Sequence, residues 1–248
     1  MLRVKTGISG FDELINGGFP KGNLVLLSGL TGSGKTIFAT QYLVNGVKQY
    51  NERGLLISFE QIREDIIDQS NELGWDLLKL EKEKKLKVVT YTPNKMIFSA
   101  VLQEIKALIQ EFKPDRIVLD SISTYGIYAE TIAYIEILEK MGMQKSQFSF
   151  QLGPEVATRK AIVDMLEALK NQKATSIIIS ELPESTNFLS RDTISEFLCD
   201  GVVLLKHVSI GDSLNRNLEV RKMRKTDIRG GPRTYNITAK GIVIEAGG

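Results

Sequence analysis

The sequence predicts an α/β fold in which a mostly parallel sheet is flanked by helices and extended at its C-terminal end by antiparallel strands. Apolar runs of strand length alternate with helical patterns along most of the chain, which is typical of parallel sheets built from β–α units. A glycine-rich loop joins the first long apolar run to a helical pattern, an arrangement found in the same sheets. Towards the C-terminus, alternating segments without helices between them indicate antiparallel strands.

Length and composition fit one globular domain spanning residues 1–248. The chain is 42% apolar and 25% charged, and its formal net charge is only +2, so nucleic-acid binding would need a local cluster of cations. No apolar run approaches the roughly 20 residues of a membrane-spanning helix, and the N-terminus lacks a signal-peptide pattern. The single cysteine, Cys199, cannot form an internal disulfide. We therefore expect a cytoplasmic protein without membrane attachment.

Residues 29–36 fit the pattern G-x-x-x-x-G-K-[ST] of a phosphate-binding loop. The loop follows a predicted strand at 23–28 and precedes a predicted helix that runs to about residue 50, which is the setting that the motif requires. Glycines allow successive backbone N–H groups to face one concavity, and the helix N-terminus continues it. A flexible glycine-rich turn is the alternative interpretation. We predict nucleotide contacts from Gly29, Thr31, Gly32, Ser33, Gly34, Lys35, Thr36 and Ile37.

Two later apolar runs end in carboxylates, Glu60 after residues 55–59 and Asp120 after residues 116–119. Because the carboxyl ends of parallel strands share one edge of a sheet, these side chains should lie near the loop. Glu60 is a candidate general base for the water that attacks a γ-phosphate, or a cap for the helix predicted from Arg63. Lys35 should reach the outer phosphates, while Thr36 and Asp120 should hold Mg²⁺.

The middle of the chain predicts further helices and strands around one long excursion. Residues 79–87 indicate a solvated helix end or loop, followed by a short strand at 88–91 and an amphipathic helix at 97–112. Helices are predicted at 129–141 and 158–171, before the strand at 175–180 that delivers Glu181 to the ligand edge. Residues 142–154 mix Lys145, glutamines and phenylalanines, so this loop could bind single-stranded nucleic acid, contact a partner or line a pore.

The C-terminal part predicts a strand at 201–206, a strand at 218–226 and a hairpin of residues 234–238 and 241–245. Lys222 and Arg224 are two residues apart and therefore project from the same face of their strand. One interpretation is an edge strand whose charges prevent aggregation. The other is a pair of cations directed at a phosphate.

Several motifs together resemble the KaiC-like branch of the RecA superfamily of P-loop ATPases, as an archaeal single-domain member. They comprise the lead-in T-G-I-S-G-F-D-E-L-I-N-G-G of residues 6–18, the loop itself, Phe59-Glu60, L-G-W-D at 73–76, Asp120-Ser121, Lys222-Met223-Arg224, and I-T-A-K-G-I at 237–242. The resemblance covers nearly the whole chain and is weakest at about residues 125–158. It implies a RecA-like core that binds ATP and Mg²⁺ and assembles into a homo-oligomeric ring, usually a hexamer. Lys222 and Arg224 would reach the γ-phosphate of the neighbouring subunit, and Glu60 matches the first of the family's paired glutamates.

Two positions depart from the family pattern. Gln61 stands at the second glutamate of the pair, and a neutral amide cannot accept a proton from water, so we expect slow hydrolysis. Glu196-Phe197 stands where the clock protein's kinase domain carries an adjacent Ser-Thr pair, so we expect no clock-type protein-kinase activity.

Three functions are therefore carried forward. The leading one is an oligomeric Mg²⁺-dependent ATPase whose nucleotide state controls a regulatory partner. The second is a recombinase-like ATPase that binds single-stranded DNA, supported by six cations against one carboxylate, Asp227, in residues 221–233. The third is an ATP-binding switch with negligible turnover. GTP is disfavoured, because the chain has no N-K-x-D motif.

Overall fold

The computed structural model describes residues 1–92, 98–133, 154–184, 186–210 and 213–245. The strands are β1 (Arg3–Val4), β2 (Phe19–Pro20), β3 (Leu24–Gly29), β4 (Gly54–Ser58), β5 (Leu86–Thr90), β6 (Arg116–Asp120), β7 (Thr175–Glu181), β8 (Gly201–Ile210), β9 (Ser213–Met223), β10 (Arg233–Thr238) and β11 (Gly241–Ile244). The α-helices are α1 (Lys35–Tyr50), α2 (Arg63–Glu72), α3 (Leu77–Lys82), α4 (Phe98–Phe112), α5 (Ile122–Tyr128), α6 (Pro154–Lys170) and α7 (Ser195–Leu198). A 3₁₀ turn covers Asp12–Ile15, and a π-helical turn covers Ala129–Ala133.

Within these ranges, nine strands form one sheet in the order β11-β10-β9-β8-β3-β7-β6-β4-β5. The six strands from β8 to β5 are parallel, whereas β9, β10 and β11 each pair antiparallel with the strand before. β1 and β2 form a separate antiparallel pair. The predicted fold class, a mostly parallel sheet flanked by helices with an antiparallel C-terminal extension, is confirmed. None of the described helices is long and apolar enough to cross a membrane.

The apolar core lies on both faces of the sheet, because successive strand residues point to opposite sides. On one face, Val25 and Leu27 of β3 pack in a cluster with Phe38 and Tyr42 of α1. On the other face, β3 contributes Leu24 and Leu26 to a cluster built with α4 and α6. Strands covered on both faces in this way read as continuous apolar runs, which is why the sequence reveals them so clearly.

A fully buried arginine joins the start of β6 to the N-terminal segment. Arg116 donates to the carbonyls of Tyr42 and Lys5 at 2.7 Å each and pairs with Glu52. Its guanidinium also lies over the ring of Tyr42, 4.4 Å from the centroid. A Cβ at Gly46 would collide with this guanidinium, so the glycine in the middle of α1 makes room for the buried charge.

Several local features differ from the predictions. Residues 79–87, predicted as a solvated helix end or loop, contain the end of α3 and the start of β5. Leu80 and Leu86 are buried in the core, so the segment is not fully solvated. β8 and β9 form a longer hairpin than predicted. Their polar residues pair across it, Lys206 with Asn217 and His207 with Arg216. α5 was not predicted. The predicted helix at 129–141 begins in the π-helical turn and continues, with most of the 142–154 loop, outside the described residues.

Candidate active site

The carboxyl ends of four parallel strands place the predicted phosphate chemistry at one edge of the sheet. β3 ends at Gly29, where the glycine loop starts, and β7 ends at Glu181. β4 leads into Glu60, and β6 ends at Asp120. In parallel sheets, ligands bind at this edge.

The loop has the backbone shape that its glycines allow. Gly34 has a φ of 87° and caps the start of α1. A Cβ at this position would lie 2.9 Å from Ile237 Cδ1. The Ser33 N–H donates to the Leu30 carbonyl at 3.2 Å, and the Ser33 carbonyl accepts from the Tyr235 hydroxyl of β10. The loop is thus stabilised by a hydrogen bond between two of its own residues and by a second one from β10 in the antiparallel extension.

The Lys35 side chain is folded into the loop. It is only 6% exposed, its Nζ donates to the Leu30 carbonyl at 2.9 Å, and Glu181 Oε1 lies 3.8 Å away. Burial lowers the pKa of Lys35, and the negative charge of Glu181 opposes that shift. A buried ammonium with so few partners is ready to pair with a strong anion.

Thr36 and Asp120 meet at the position predicted for a metal ion. Thr36 Oγ1 donates to Asp120 Oδ2 at 2.8 Å, and Asp120 Oδ1 is buried with no hydrogen-bond partner among the described residues. Burial and the charge of Glu60 raise the pKa of Asp120 to about 7. Both observations indicate a missing positive charge. One hydroxyl and one carboxylate fit Mg²⁺, which keeps water and phosphate ligands.

Glu60 lies at the same edge, exposed but partly desolvated. Burial and the charge of Glu181 raise its pKa, while a hydrogen bond with Ser121 opposes the shift. Within the described residues, the cap position of α2 is Ile62 rather than Glu60, so the alternative role of Glu60 as a helix cap has no support. The position of Glu60 therefore favours the predicted role as a base.

Gln61 has a different environment from its neighbour Glu60. Its backbone N–H donates to Ser58 Oγ at 3.1 Å, and its Nε2 donates to Gln69 Oε1 of α2 at 3.2 Å. Its Oε1 is buried and has no partner in the described part of the chain. The amide therefore presents an unpaired acceptor beside Thr36, in a small pocket that Thr36, Gln61, Gln69 and Trp75 help to line.

Lys222 lies on β9, but the strand predicted to reach residue 226 ends at Met223, so Arg224 lies in the turn just beyond it. Both residues lie at the edge of the sheet opposite the loop. β9 is antiparallel to β8, and Met223 pairs with Gly201, which in turn pairs with Val25 near the start of β3. The length of β3, about 17 Å, separates this pair from the loop of its own chain. Lys222 Nζ donates to the carbonyls of Glu196 and Cys199 at 2.9 and 2.7 Å, and Arg224 Nη1 pairs with Asp200 at 3.1 Å.

The structure thus brings the residues predicted for phosphate and metal chemistry together and leaves the two C-terminal cations apart from them. Sequence reasoning missed Tyr235 and Gln69, because neither carries a motif and both reach the site only through tertiary pairing. Thr31 is exposed at the tip of the loop, whereas Ile37 packs against the core. The functional roles of all these residues stay predictions.

Comparisons with known proteins match the chain along nearly its whole length. The family model described as "ATPase: KaiC" matches residues 4–142 and 146–247. The chain is 31% identical to the circadian clock oscillator protein KaiC of Synechococcus elongatus over 98% of its length, which covers 44% of that protein. The KaiC of Parathermosynechococcus lividus is 29% identical, again over 98% of the chain and 42% of the relative. The chain thus spans less than half the length of these curated relatives.

A solved structure matches the whole chain. The crystal structure of a KaiC-like protein from the hyperthermophilic archaeon Pyrococcus horikoshii superposes with a TM-score of 0.81 and 32% sequence identity, and the match covers 99% of both chains.

Proposed function

Since the chain belongs to the family of KaiC ATPases, we propose that it binds ATP with Mg²⁺ at residues 29–37 and hydrolyses it slowly. The observation that carries the proposal is the convergence of Lys35, Thr36, Glu60 and Asp120 at one sheet edge. There, Asp120 has a raised pKa and a buried oxygen without a partner among the described residues, and the buried Lys35 pairs with Glu181 only at 3.8 Å. A divalent cation would balance Asp120, and a triphosphate would give Lys35 a closer anion.

The residues divide the work by position. The backbone N–H groups of the loop and the α1 N-terminus bind the phosphates, and Lys35 exchanges the Leu30 carbonyl for the outer phosphates. Thr36 and Asp120 hold the Mg²⁺, which neutralises charge that develops on the phosphate oxygens. Glu60 accepts the proton of the attacking water. Gln61 orients that water without accepting a proton, which keeps turnover slow.

Lys222 and Arg224 complete the site of a neighbouring copy rather than their own. Their position at the edge opposite the loop supports this arrangement, because a head-to-tail contact between two copies would bring that edge against the loop edge of the next copy. Charge also supports it, since three carboxylates, Glu60, Asp120 and Glu181, lie at the loop edge. Repetition of the contact closes a ring, for which a hexamer is our proposal. Nucleotide occupancy in the ring would control a partner.

A mixing experiment tests the proposal. Purified protein should release phosphate from ATP only with Mg²⁺, and Lys35→Ala should abolish release. Arg224→Ala should lose about 10³–10⁵-fold in turnover, yet mixed with Lys35→Ala it should regain activity, because some neighbouring pairs then combine an intact loop with an intact arginine. No recovery under conditions of proven subunit exchange would refute action between subunits. Arg221→Ala is the matched control, because Arg221 lies on β9 three residues before Arg224 and pairs with Glu219.

The second candidate is an ATP-binding switch with negligible turnover. The hydrogen bond from Gln61 to Gln69 favours it, because it holds a neutral amide where the family pattern has its second glutamate. Calorimetric ATP binding without phosphate release would select this candidate.

Single-stranded DNA binding stays a prediction. One cation of its basic run, Arg221, pairs with Glu219 within the chain.

A further inference from the structure

Asp200 connects the strand that leads into the loop with the cations of the opposite edge. Its backbone N–H donates to the Leu24 carbonyl at 2.8 Å, and its Oδ2 accepts from the Leu24 N–H at 3.2 Å. Its Oδ1 pairs with both Arg224 Nη1 and Lys170 Nζ, each at 3.1 Å. The Arg224 N–H also donates to the Asp200 carbonyl at 2.8 Å. Arg224 is therefore held to Asp200 by its side chain and its backbone.

The contact with Asp200 uses only one nitrogen of the Arg224 guanidinium. The Arg224 side chain is 52% exposed, and only Nη1 contacts the carboxylate. Within the ranges that the structure describes, Nε and Nη2 have no hydrogen-bond acceptor. Guanidinium groups bind phosphates through two parallel donors. A single contact to Asp200 fixes the direction of the side chain and keeps a pair of donors available.

Lys170 prevents the carboxylate from cancelling the charge of Arg224. Lys170, Lys222 and Arg224 surround the single negative charge of Asp200, so the cluster keeps a net charge of +2 from three cations and one anion. Burial would raise the pKa of Asp200, but the bonds from Leu24 and Lys170 hold it below its ordinary value. The carboxylate therefore stays ionised and compensated when Arg224 also contacts a second anion.

We infer that Asp200 is a positioning residue, which directs Arg224 towards the polyphosphate bound by a second copy of this chain, with Lys170 balancing its charge. The inference rests on the proposed action of Arg224 between subunits. It adds a residue that contacts neither nucleotide nor metal. Its role is the orientation of the cation, because misplacement of a catalytic group by about 1 Å can cost on the order of 100-fold in rate.

The test replaces the Asp200 carboxylate by the isosteric amide and measures turnover, ATP affinity and assembly mass. Asp200→Asn keeps an oxygen for the Leu24 N–H but loses the ion pairs. We expect steady-state turnover to fall by roughly 10- to 100-fold, with ATP affinity and assembly mass unchanged. The double variant Asp200→Asn/Arg224→Ala should be no slower than Arg224→Ala alone. Asp164→Asn is the matched control, because Asp164 lies on the same helix as Lys170 and pairs with Lys160.

Subunit mixing separates positioning from a structural role. If Asp200 acts through Arg224, the loop of an Asp200→Asn subunit is intact, and mixing with Lys35→Ala subunits restores turnover. If Asp200 instead supports its own loop through Leu24, mixing restores nothing, and the inference is overturned. Unchanged turnover in Asp200→Asn, or additive losses in the double variant, would also overturn it. Failure of the Arg224→Ala and Lys35→Ala mixture refutes the proposed action between subunits itself, so the two failures are distinguishable.

Discussion

Thr36 donates its hydroxyl hydrogen to Asp120 Oδ2 over 2.8 Å and so joins the first turn of α1 to the end of β6, two strands away from β3. This bond leaves Asp120 Oδ1 as a buried acceptor without a partner among the described residues. The pair is therefore the most direct structural support for a magnesium site.

Substitution at this pair should weaken the response to metal. In Thr36→Val and Asp120→Asn, we expect the Mg²⁺ concentration for half-maximal turnover to rise on the order of 10-fold, because one oxygen ligand or its charge is lost. Titration of turnover with Mg²⁺ at saturating ATP measures this. Thr40→Val, one turn later in α1 and buried, is the control. An equal shift in the control would show that the helix, not the ligand, is responsible.

Removal of the proposed base should slow catalysis without releasing nucleotide. We expect Glu60→Gln to lower kcat by about 10²–10⁴-fold, because an amide cannot accept the proton of water. ATP affinity, measured by calorimetry, should change little. Glu64→Gln removes the same charge from the first turn of α2 and should retain full turnover. If Glu60→Gln turns over as fast as the parent protein, Glu60 is not the base.

Restoring the second glutamate should accelerate the reaction. Gln61→Glu places a carboxylate beside Glu60, and we expect kcat to rise on the order of 10-fold, since either group can then take the proton. Gln69→Ala is the companion variant. It removes the hydrogen bond to Gln61 but adds no base, so it should not raise kcat. Equal acceleration in both variants would show that release of the Gln61 side chain, rather than basicity, limits turnover.

The acid limb of the pH profile should respond to Glu181. The negative charge of Glu181 helps to raise the pKa of Glu60 above its ordinary value. A general base works when deprotonated, so activity is lost as the pH falls through this pKa. Glu181→Gln lowers the pKa of Glu60 and should move the acid limb of kcat/KM to lower pH. Glu184→Gln, just beyond β7, serves as the control. A shift to higher pH, or none, would contradict the electrostatic explanation.

Gly46→Ala should destabilise the protein, although alanine is more favourable than glycine inside a helix by about 1 kcal/mol. The new methyl group would displace the Arg116 guanidinium from its partners. We expect a net loss of about 1–3 kcal/mol in the free energy of unfolding, measured by urea denaturation. Lys48→Ala, at an exposed position of the same helix, should be nearly neutral. A stabilised Gly46→Ala variant would refute the proposed close contact.

The sequence predicts those parts of the structure that depend on local pattern. β3, β4, β6 and β7 are covered on both faces, so their apolar runs are unmistakable, and the loop motif fixes which strand end carries the site. The hairpin of β8 and β9 was underestimated, because its pairing of Lys206 with Asn217 leaves no apolar alternation to detect. The contacts of Tyr235, Gln69 and Asp200 join residues far apart in the chain. Only the folded structure reveals them.

The antiparallel pairing of β9 with β8 places Arg224 at the end of the sheet opposite the loop of the same copy. The loop lies at one end of each copy and Arg224 at the other. Each copy would therefore supply Arg224 to the loop of one neighbour and receive the Arg224 of the other neighbour at its own loop. A defect in Arg224 would then be silent in the copy that carries it and harmful in the next. In a cell that makes normal and defective chains together, a minority of defective chains would inactivate sites in normal ones. Each defective chain would therefore disable one site, and that site would belong to its neighbour.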